Sequence, residues 1–383
     1  MHRYSFIFLG NTSFSGLAQR EHALAYALAR KGYHVTYVEG MPSLASTIRS
    51  AWRKLFSKES IDERVGPEIS SVENLTIRIP PMVPTFFRSS WIPRYDAWIF
   101  RRWFAKAFKG QDWDSTIVMV MFPYWWFGFI DRKNCPAKKI IYDICDALEM
   151  PSRTPGTLLL MKTAEQALMK DADTICFSAH EMAELFSTQH GSAISHFLPN
   201  AVAEWFIHTS AAPRKGGSVI GYVGALDKRW ADRELLIKIA TAFPQCSLIV
   251  RSSAEKAFVR RLAAFKNVTI LGYQDYRTLP NLISRFDVGI IPFLQNRITR
   301  VINPLKLYEY CALGIPVVAT KTAELEHYAD LIALADTHDE FLERVEQALQ
   351  EKGDAKRKDR VDFAARNTWE LRSEELLKII EQG

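Results

Sequence analysis

The segment with the clearest chemical pattern is Asn303-Pro-Leu-Lys-Leu-Tyr-Glu-Tyr-Cys-Ala-Leu-Gly-Ile-Pro-Val-Val318. Asn303 suits a helix N-cap and Pro304 the first helical position, so a helix is predicted to begin here. The free N–H groups and dipole of such an end attract anions, and Lys306 adds a cation. Glu309 follows about one turn later on roughly the same side. The segment predicts a diphosphate site, although an ordinary capped helix with a Lys–Glu pair has the same spacing.

A second candidate for chemistry is the stretch Ile140-Ile-Tyr-Asp-Ile-Cys-Asp-Ala-Leu148. Its apolar start predicts a buried strand, and Asp146 comes just after that strand. Residues at the carboxyl ends of parallel strands line ligand sites, so Asp146 is placed to take a proton from a reacting hydroxyl group. Asp143, within the strand, is expected to be structural. A carboxylate at a strand end can equally cap a helix, so both interpretations of Asp146 stay open.

The loop after the first predicted strand, residues 10–20, is polar and would lie at the same edge of the sheet. Its glycines lack the Gly-x-Gly-x-x-Gly spacing of dinucleotide-binding loops, which argues against a nicotinamide cofactor. His22, His180, His190 and His196 form neither an HxxxH nor an HExxH pair. The sequence therefore predicts no bound cofactor and no metal-dependent catalysis.

These candidates need elements to position them, and a chain of 383 residues has room for two domains. Short apolar runs alternate with helical patterns in the first half, beginning with a strand, a helix and a strand at residues 5–9, 16–31 and 34–38. Further strands are predicted at residues 75–79, 115–121, 139–142 and 174–178. This alternation is typical of a doubly wound parallel sheet.

A polar stretch with glycine and proline at residues 208–217 interrupts this pattern and has the composition of a linker. After it the alternation of strands and helices restarts and continues to about residue 320. The sequence thus predicts an α/β protein with two Rossmann-like, doubly wound parallel-sheet domains that face a central cleft. We assign residues 1–205 to the first domain and residues 206–365 to the second.

The cysteines and apolar stretches indicate where the protein works. Five cysteines are scattered without a CxxC pair, so free thiols are expected rather than disulfides or a zinc site. The apolar start is short and lacks the cleavage site of a signal peptide. The longest apolar stretch, residues 116–130, is shorter than a membrane span and contains Pro123 and Gly128. A cytoplasmic protein without a transmembrane helix is predicted.

The net charge of +6 is unevenly distributed. Basic residues alternate with aromatic ones between residues 86 and 109, and residues 48–58 repeat the pattern. Cations that meet lipid phosphates, with aromatic rings at the headgroup level, suit an anionic membrane surface. The alternative is an ordinary helix with aromatic residues in the core and arginines in water. Nucleic acid is not expected as a partner, because no recognition motif accompanies the patch.

The 303–318 segment resembles the donor-binding motif of nucleotide-sugar glycosyltransferases with the GT-B fold. Many of these enzymes carry two glutamates eight positions apart. Glu309 matches the second, which contacts the ribose, whereas Val301 stands at the first, so a retaining mechanism is not implied. The similarity covers about residues 218–320 closely and the N-terminal half in outline. It also implies that residues 366–383 form a helix that crosses back onto the first domain.

The resemblance also implies roles for individual residues. Asp146 lies in a segment similar to that of the inverting glucuronosyltransferase of the xanthan pathway and of teichuronic acid glycosyltransferases, and in the former the matching aspartate is the proposed general base. Lys306 would hold the diphosphate, Glu309 the ribose and the 272–276 loop the nucleobase. The donor-side candidates are Gly224, Lys228, Arg229, Gly272, Tyr273, Asn303, Pro304, Leu305, Lys306 and Glu309, and the acceptor-side candidates are Asn11, Ser13 and Arg20.

The expected function is therefore sugar transfer from a nucleotide diphosphate sugar, UDP-linked, without a bound metal. The acceptor would be a lipid-linked or other saccharide in cell-surface polysaccharide synthesis, and the protein would attach peripherally to the inner face of the membrane. One alternative is a nucleotide-sugar 2-epimerase on the same scaffold, although its Gly-Thr-Arg-Pro type loop is not seen. Another is a non-catalytic subunit that binds nucleotide sugar or membrane, against which the presence of Lys306, Glu309 and Asp146 argues.

Overall fold

The computed structural model describes residues 3–14, 19–40, 72–81, 92–148, 155–190, 194–209, 217–251, 255–272, 274–351 and 354–382. The chain divides into two compact units. Unit 1 comprises residues 1–178, 186–198 and 373–383, and unit 2 comprises residues 179–185 and 199–372. Each unit contains one parallel sheet with flanking helices.

The sheet of unit 1 has seven strands. They are β1 (Ser5–Leu9), β2 (His34–Val38), β3 (Leu75–Arg78), β4 (Thr116–Val120), β5 (Lys139–Ile144), β6 (Thr174–Phe177) and β7 (Ser195–Phe197). Their order is β3-β2-β1-β4-β5-β6-β7, and every pairing is parallel. All five residues of β4 are buried, as expected for a central strand covered on both faces. The strand order reverses between β1 and β4, so ligands are expected beside the loops that follow these strands.

Among the described residues before residue 199, four helices belong wholly or partly to unit 1. They are α1 (Arg20–Arg30), α2 (Ile92–Ala107), α3 (Pro155–Asp171) and α4 (His180–His190), of which residues 180–185 count with unit 2. α1 buries Leu24, Ala27 and Leu28, spaced as one face of a helix requires. That face attaches α1 to the sheet and fixes its first residues at the carboxyl end of β1.

Unit 2 has a six-stranded sheet with the same winding. Its strands are β8 (Val219–Val223), β9 (Ser247–Arg251), β10 (Val268–Leu271), β11 (Val288–Ile291), β12 (Val317–Thr320) and β13 (Ala333–Ala335). Their order is β10-β9-β8-β11-β12-β13, again with parallel pairing throughout. The order reverses between β8 and β11. The prediction of two doubly wound parallel sheets is therefore confirmed.

The helices of unit 2 connect these strands. They are α5 (Glu204–Ile207), α6 (Arg233–Ala242), α7 (Lys256–Leu262), α8 (Leu279–Ile283), α9 (Leu305–Ala312), α10 (Ala323–Glu326), α11 (His338–Leu349), α12 (Asp354–Ala365) and α13 (Trp369–Gln382), whose last part belongs to unit 1. The carboxylate of Asp232 accepts the Leu235 N–H at 2.9 Å and caps α6. Among the described residues, no helix has the length and apolar character that crossing a membrane requires.

Candidate active site

The side chain of Lys306 lies between aromatic rings at the switch point of unit 2. Lys306 is in the first turn of α9, and its Nζ is 5.3 Å from the ring centroid of Tyr222 in β8 and 5.3 Å from that of Phe293, just after β11. Ring faces attract a cation without neutralising its charge. Within the described part of the chain, no carboxylate lies at ion-pair distance from this ammonium group. Lys306 is therefore a partly desolvated cation that an anionic ligand would neutralise.

Gly224 follows β8 and brings the backbone close to this ammonium group. Its φ of +144° is a conformation that residues with a side chain rarely adopt. A Cβ at this position would lie 3.1 Å from Lys306 Nζ and 3.2 Å from Tyr222 Oη. Glycine therefore keeps the loop after β8 and the lysine side by side, an arrangement that suits a phosphate group.

Glu309 is buried one turn after Lys306, and only 5% of its surface is exposed. The Tyr276 hydroxyl group is close enough to its carboxylate to lower the pKa of Glu309. Burial raises the pKa of Glu309, while Lys306, Tyr276 and Arg251 lower it. Burial lowers the pKa of Lys306 to about 8, and Glu309 opposes this shift. The lysine and the glutamate thus form one electrostatically coupled pair at the start of α9.

The other donor-side candidates of unit 2 differ in their surroundings. The Arg229 guanidinium forms a bidentate pair with Asp227, at 2.9 Å for each of the two bonds, and lies over the Trp230 ring. Hydrogen bonds from Arg229 lower the pKa of Asp227. Lys228 and Gly272 are exposed, and Tyr273 lies outside the described residues.

Asn303 has a different role from the one predicted. α9 begins at Leu305, and Pro304 occupies the cap position with an extended backbone (φ −82°, ψ 129°). The prediction that Asn303 is the N-cap and Pro304 the first helical residue is wrong by one position. The reason is that the Asn303 amide donates to Glu324 Oε1 at 2.9 Å and to the Tyr328 hydroxyl at 2.7 Å, inside the protein. Asn303 connects the start of α9 to α10.

In unit 1, the first residue of α1 forms a buried ion pair with β5. Arg20 Nε is 2.8 Å from Asp143 Oδ2, and Arg20 Nη2 is 2.9 Å from Asp143 Oδ1. The residues are 3% and 0% exposed. A bidentate pair this deep fixes both planar groups. The structure therefore places Arg20, an acceptor-side candidate, against Asp143, where it positions the start of α1.

The next residue, Glu21, holds the loop after β1. Its buried carboxylate accepts the N–H groups of Asn11 at 2.9 Å and Thr12 at 3.0 Å, as well as the Thr12 hydroxyl group. Burial raises the pKa of Glu21, and these hydrogen bonds oppose the shift. Ser13 donates to Glu39 at 3.0 Å, on the exposed side of the loop. Sequence reasoning missed Glu21, although two successive charges at the start of an apolar helix are a usable signal.

Asp146 lies two residues after the end of β5, and its side chain is exposed. Desolvation by the surrounding protein atoms raises the pKa of Asp146 to about 7. The negative charge of Glu21 contributes to this increase, and the positive charge of Arg20 opposes it. Asp146 is thus accessible to solvent, although the protein atoms around it disfavour its charged form. A carboxyl group with a pKa near 7 is partly ionised at neutral pH and is a stronger base than an ordinary aspartate.

Comparison with known proteins identifies a family for part of the chain. Residues 217–351, which include Gly224, Tyr276, Lys306 and Glu309, match the family described as Glycosyl transferases group 1. A Bacillus subtilis protein, TuaH, whose name describes a teichuronic acid biosynthesis glycosyltransferase, is 26% identical over 264 residues. The aligned segment spans 63% of this chain and 66% of TuaH, just under two thirds of the relative.

Solved structures with the same fold cover the whole chain. Sucrose-phosphate synthase from Thermosynechococcus elongatus has a TM-score of 0.71 at 13% identity, covering 99% of this chain and 98% of that one. Anabaena HepE, solved with UDP and glucose, has a TM-score of 0.64 at 13% identity, covering 99% of both chains. The two Rossmann-like units have the fold of these structures, and residues 217–351 match the group 1 glycosyltransferase family. The resemblance in the 303–318 segment is confirmed.

Proposed function

We propose that the chain transfers a sugar from a nucleotide diphosphate sugar, UDP-linked, to a lipid-linked or other glycan acceptor in cell-surface polysaccharide synthesis. The observation that carries this proposal is the Lys306 ammonium group, which lies beside Gly224 at the start of α9 without an ion-pair partner in the described residues. The name of TuaH, the UDP bound to HepE and the family match support the donor and the pathway class.

The residues of unit 2 would bind the donor and stabilise its leaving group. As the bond between the anomeric carbon and the diphosphate breaks, negative charge develops on the diphosphate oxygen. The Lys306 ammonium group and the N-terminus of α9 are positioned to stabilise that charge. Glu309, oriented by Tyr276, would accept a hydrogen bond from a ribose hydroxyl group.

Asp146 of unit 1 would act as the general base. It would take the proton of the acceptor hydroxyl group while the oxygen attacks the anomeric carbon on the face opposite the diphosphate, which inverts the configuration. The raised pKa of Asp146 suits this task. In unit 2, the position of the first motif glutamate is Val301, a buried apolar residue that cannot bind a sugar hydroxyl group.

The exposed residues of α2 support the proposal that the protein attaches to the anionic surface at the inner face of the membrane. Tyr95 and Trp98 are 54% and 55% exposed, and their rings stack with centroids 5.9 Å apart. The Arg102 guanidinium lies over the Trp98 ring at 5.3 Å. Phe100 and Phe104 of the same helix are buried, so its aromatic residues divide between the core and the exposed face. Residues 48–58 and 86–91 of the basic-aromatic pattern lie outside the described residues.

The donor proposal is tested by calorimetric titration with UDP, GDP and ADP. We expect micromolar binding of UDP and a loss of about 1–3 kcal/mol in Lys306→Ala, because a charge-assisted contact disappears. Lys238→Ala, which removes an exposed charge from α6 of the same unit, is the matched control and should bind UDP like the parent protein. Binding of no nucleotide, or equal binding by Lys306→Ala, would overturn the proposed donor site.

A further inference from the structure

Two histidines and a glutamate form a compact cluster in unit 2. His180 is the first residue of α4, Glu324 lies in α10, and His327 directly follows α10. One ligand atom from each lies within 4.8 Å of the other two. The His180 Nδ1 atom is 3.6 Å from Glu324 Oε1, and the two imidazole rings stack with centroids 4.3 Å apart. Three groups from two separate parts of the chain thus converge.

The carboxylate of Glu324 is buried, and burial makes a bound cation favourable. Its side chain is 0% exposed, and its carboxylate accepts hydrogen bonds from neutral groups, the Asn303 amide at 2.9 Å and the Glu181 N–H at 3.4 Å. In the described ranges, no lysine or arginine lies within ion-pair distance of it. A buried carboxylate without a cation is costly. A cation bound beside Glu324 would offset this cost.

We propose that His180, Glu324 and His327 bind one divalent transition-metal ion, with zinc as the ion that their chemistry fits best. Two imidazole nitrogens and one carboxylate oxygen are zinc ligands and leave a fourth position for water or another ligand. The His180 and His327 side chains are 41% and 43% exposed, so they can rotate to close the remaining distance, and an ion can enter from solvent.

Polar groups next to the cluster contact its ligand residues and orient them, as the groups around the ligands of a metal site do. Asn303 orients the Glu324 carboxylate through its amide group. Glu181 Oε1 is 3.9 Å from Nε2 of His327, and the other oxygen of Glu181 accepts a hydrogen bond from Arg300 at 2.8 Å. Carboxylates and amides that orient ligands in this way strengthen metal binding.

The bound ion would fasten the start of α4 to the turn after α10. Through Asn303 it would also steady the residues before α9. This role is structural, and it neither requires nor replaces the proposed sugar transfer. The inference therefore stands or fails independently of the nucleotide titration.

The test is metal titration of the full-length protein after treatment with a chelator. We expect calorimetry to show one Zn²⁺ per chain, and Co²⁺ to give the visible absorption of a site with nitrogen and oxygen ligands. His327→Ala, which truncates an exposed side chain, should weaken Zn²⁺ binding by about 10–100-fold. His208→Ala removes an exposed histidine outside the cluster and should bind Zn²⁺ like the parent protein. Zn²⁺ should also raise Tm in the parent protein and not in His327→Ala.

Three results would overturn the proposal. One is the absence of Zn²⁺ binding below millimolar concentration. Another is equal affinity in His327→Ala and the parent protein. The last is a Co²⁺ spectrum with thiolate charge-transfer bands, since that would assign the metal to one of the five cysteines instead.

Discussion

The buried charges of the two units are satisfied in different ways. In unit 1, Arg20 forms an ion pair with Asp143, and the Glu21 carboxylate accepts hydrogen bonds from the loop after β1. In unit 2, the Lys306 ammonium group faces aromatic rings, and Glu309 is neighboured by a tyrosine hydroxyl group. Paired charges hold the backbone in place. A cation beside ring faces is not neutralised, so it can still bind an anion. Unit 1 thus positions its loop, and in unit 2 the described residues leave the Lys306 ammonium group without an ion-pair partner.

The largest expected effect is that of Asp146→Asn in unit 1. Loss of the general base should lower kcat by about 10²–10⁴-fold, while UDP still binds, because the donor contacts proposed for unit 2 are unchanged. The measurements are a sugar-transfer assay and nucleotide calorimetry on the same preparation.

Asp114→Asn, which removes an exposed carboxylate from the same unit, should retain full activity and serves as the control. A fully active Asp146→Asn protein would remove the base assignment. The absence of transfer by the parent protein would instead support the alternative of a non-catalytic subunit.

Arg20→Met should destabilise unit 1 by about 3–5 kcal/mol, because it leaves the Asp143 carboxylate buried without a partner. Urea unfolding is the measurement. Arg132→Met is the matched control, since Arg132 forms an exposed bidentate pair with Asp173 and its loss should cost less than about 1 kcal/mol.

A double variant sharpens this comparison between paired and unpaired charges. Arg20→Met combined with Asp143→Leu removes both charges, so most of the lost stability should return. Equal stability of the Arg20→Met and Arg132→Met variants would show that the buried pair does not hold α1.

The pH dependence of kcat/KM should be bell-shaped. A residue of unit 1 should set its acid limb and a residue of unit 2 its alkaline limb. Activity should rise as pH increases through about 7, where Asp146 loses its proton, and fall above about 8, where Lys306 loses its charge. Each outer limb should approach a tenfold change per pH unit. Arginine stays charged in this range, so Lys306→Arg should lose the alkaline limb and keep the acid limb. An alkaline limb that persists in Lys306→Arg would assign it to another group.

The smallest effect is expected at the exposed face of α2. Trp98→Ala combined with Arg102→Ala should weaken binding to anionic lipid vesicles by about tenfold, since a basic residue near the surface contributes about 1 kcal/mol. Vesicle co-sedimentation measures this. Leu371→Ala combined with Arg366→Ala removes an exposed apolar and a basic side chain from another helical region and should bind like the parent protein. Equal binding to neutral vesicles would contradict the electrostatic part of the proposal.

The sequence by itself determined the fold class, and it predicted the location of the donor segment. Short apolar strands that alternate with helices have few ways to bury their faces, so the two doubly wound sheets could be predicted. Lys306 and Glu309 could be proposed as donor-binding residues because their pattern is local to one helix. The start of that helix was misplaced by one residue, because capping preference does not include the buried partners that Glu324 and Tyr328 offer to Asn303.

Only the tertiary structure decided which charges meet. Arg20 with Asp143, and His180 with Glu324 and His327, join residues far apart in sequence, whereas Glu21 binds a loop that ends just before its own helix. A pattern of residue types cannot predict which of these long-range partners meet, because many donors in the chain could form hydrogen bonds with the same buried carboxylate. The strand order brings particular side chains together, and burial then makes their pairing energetically decisive.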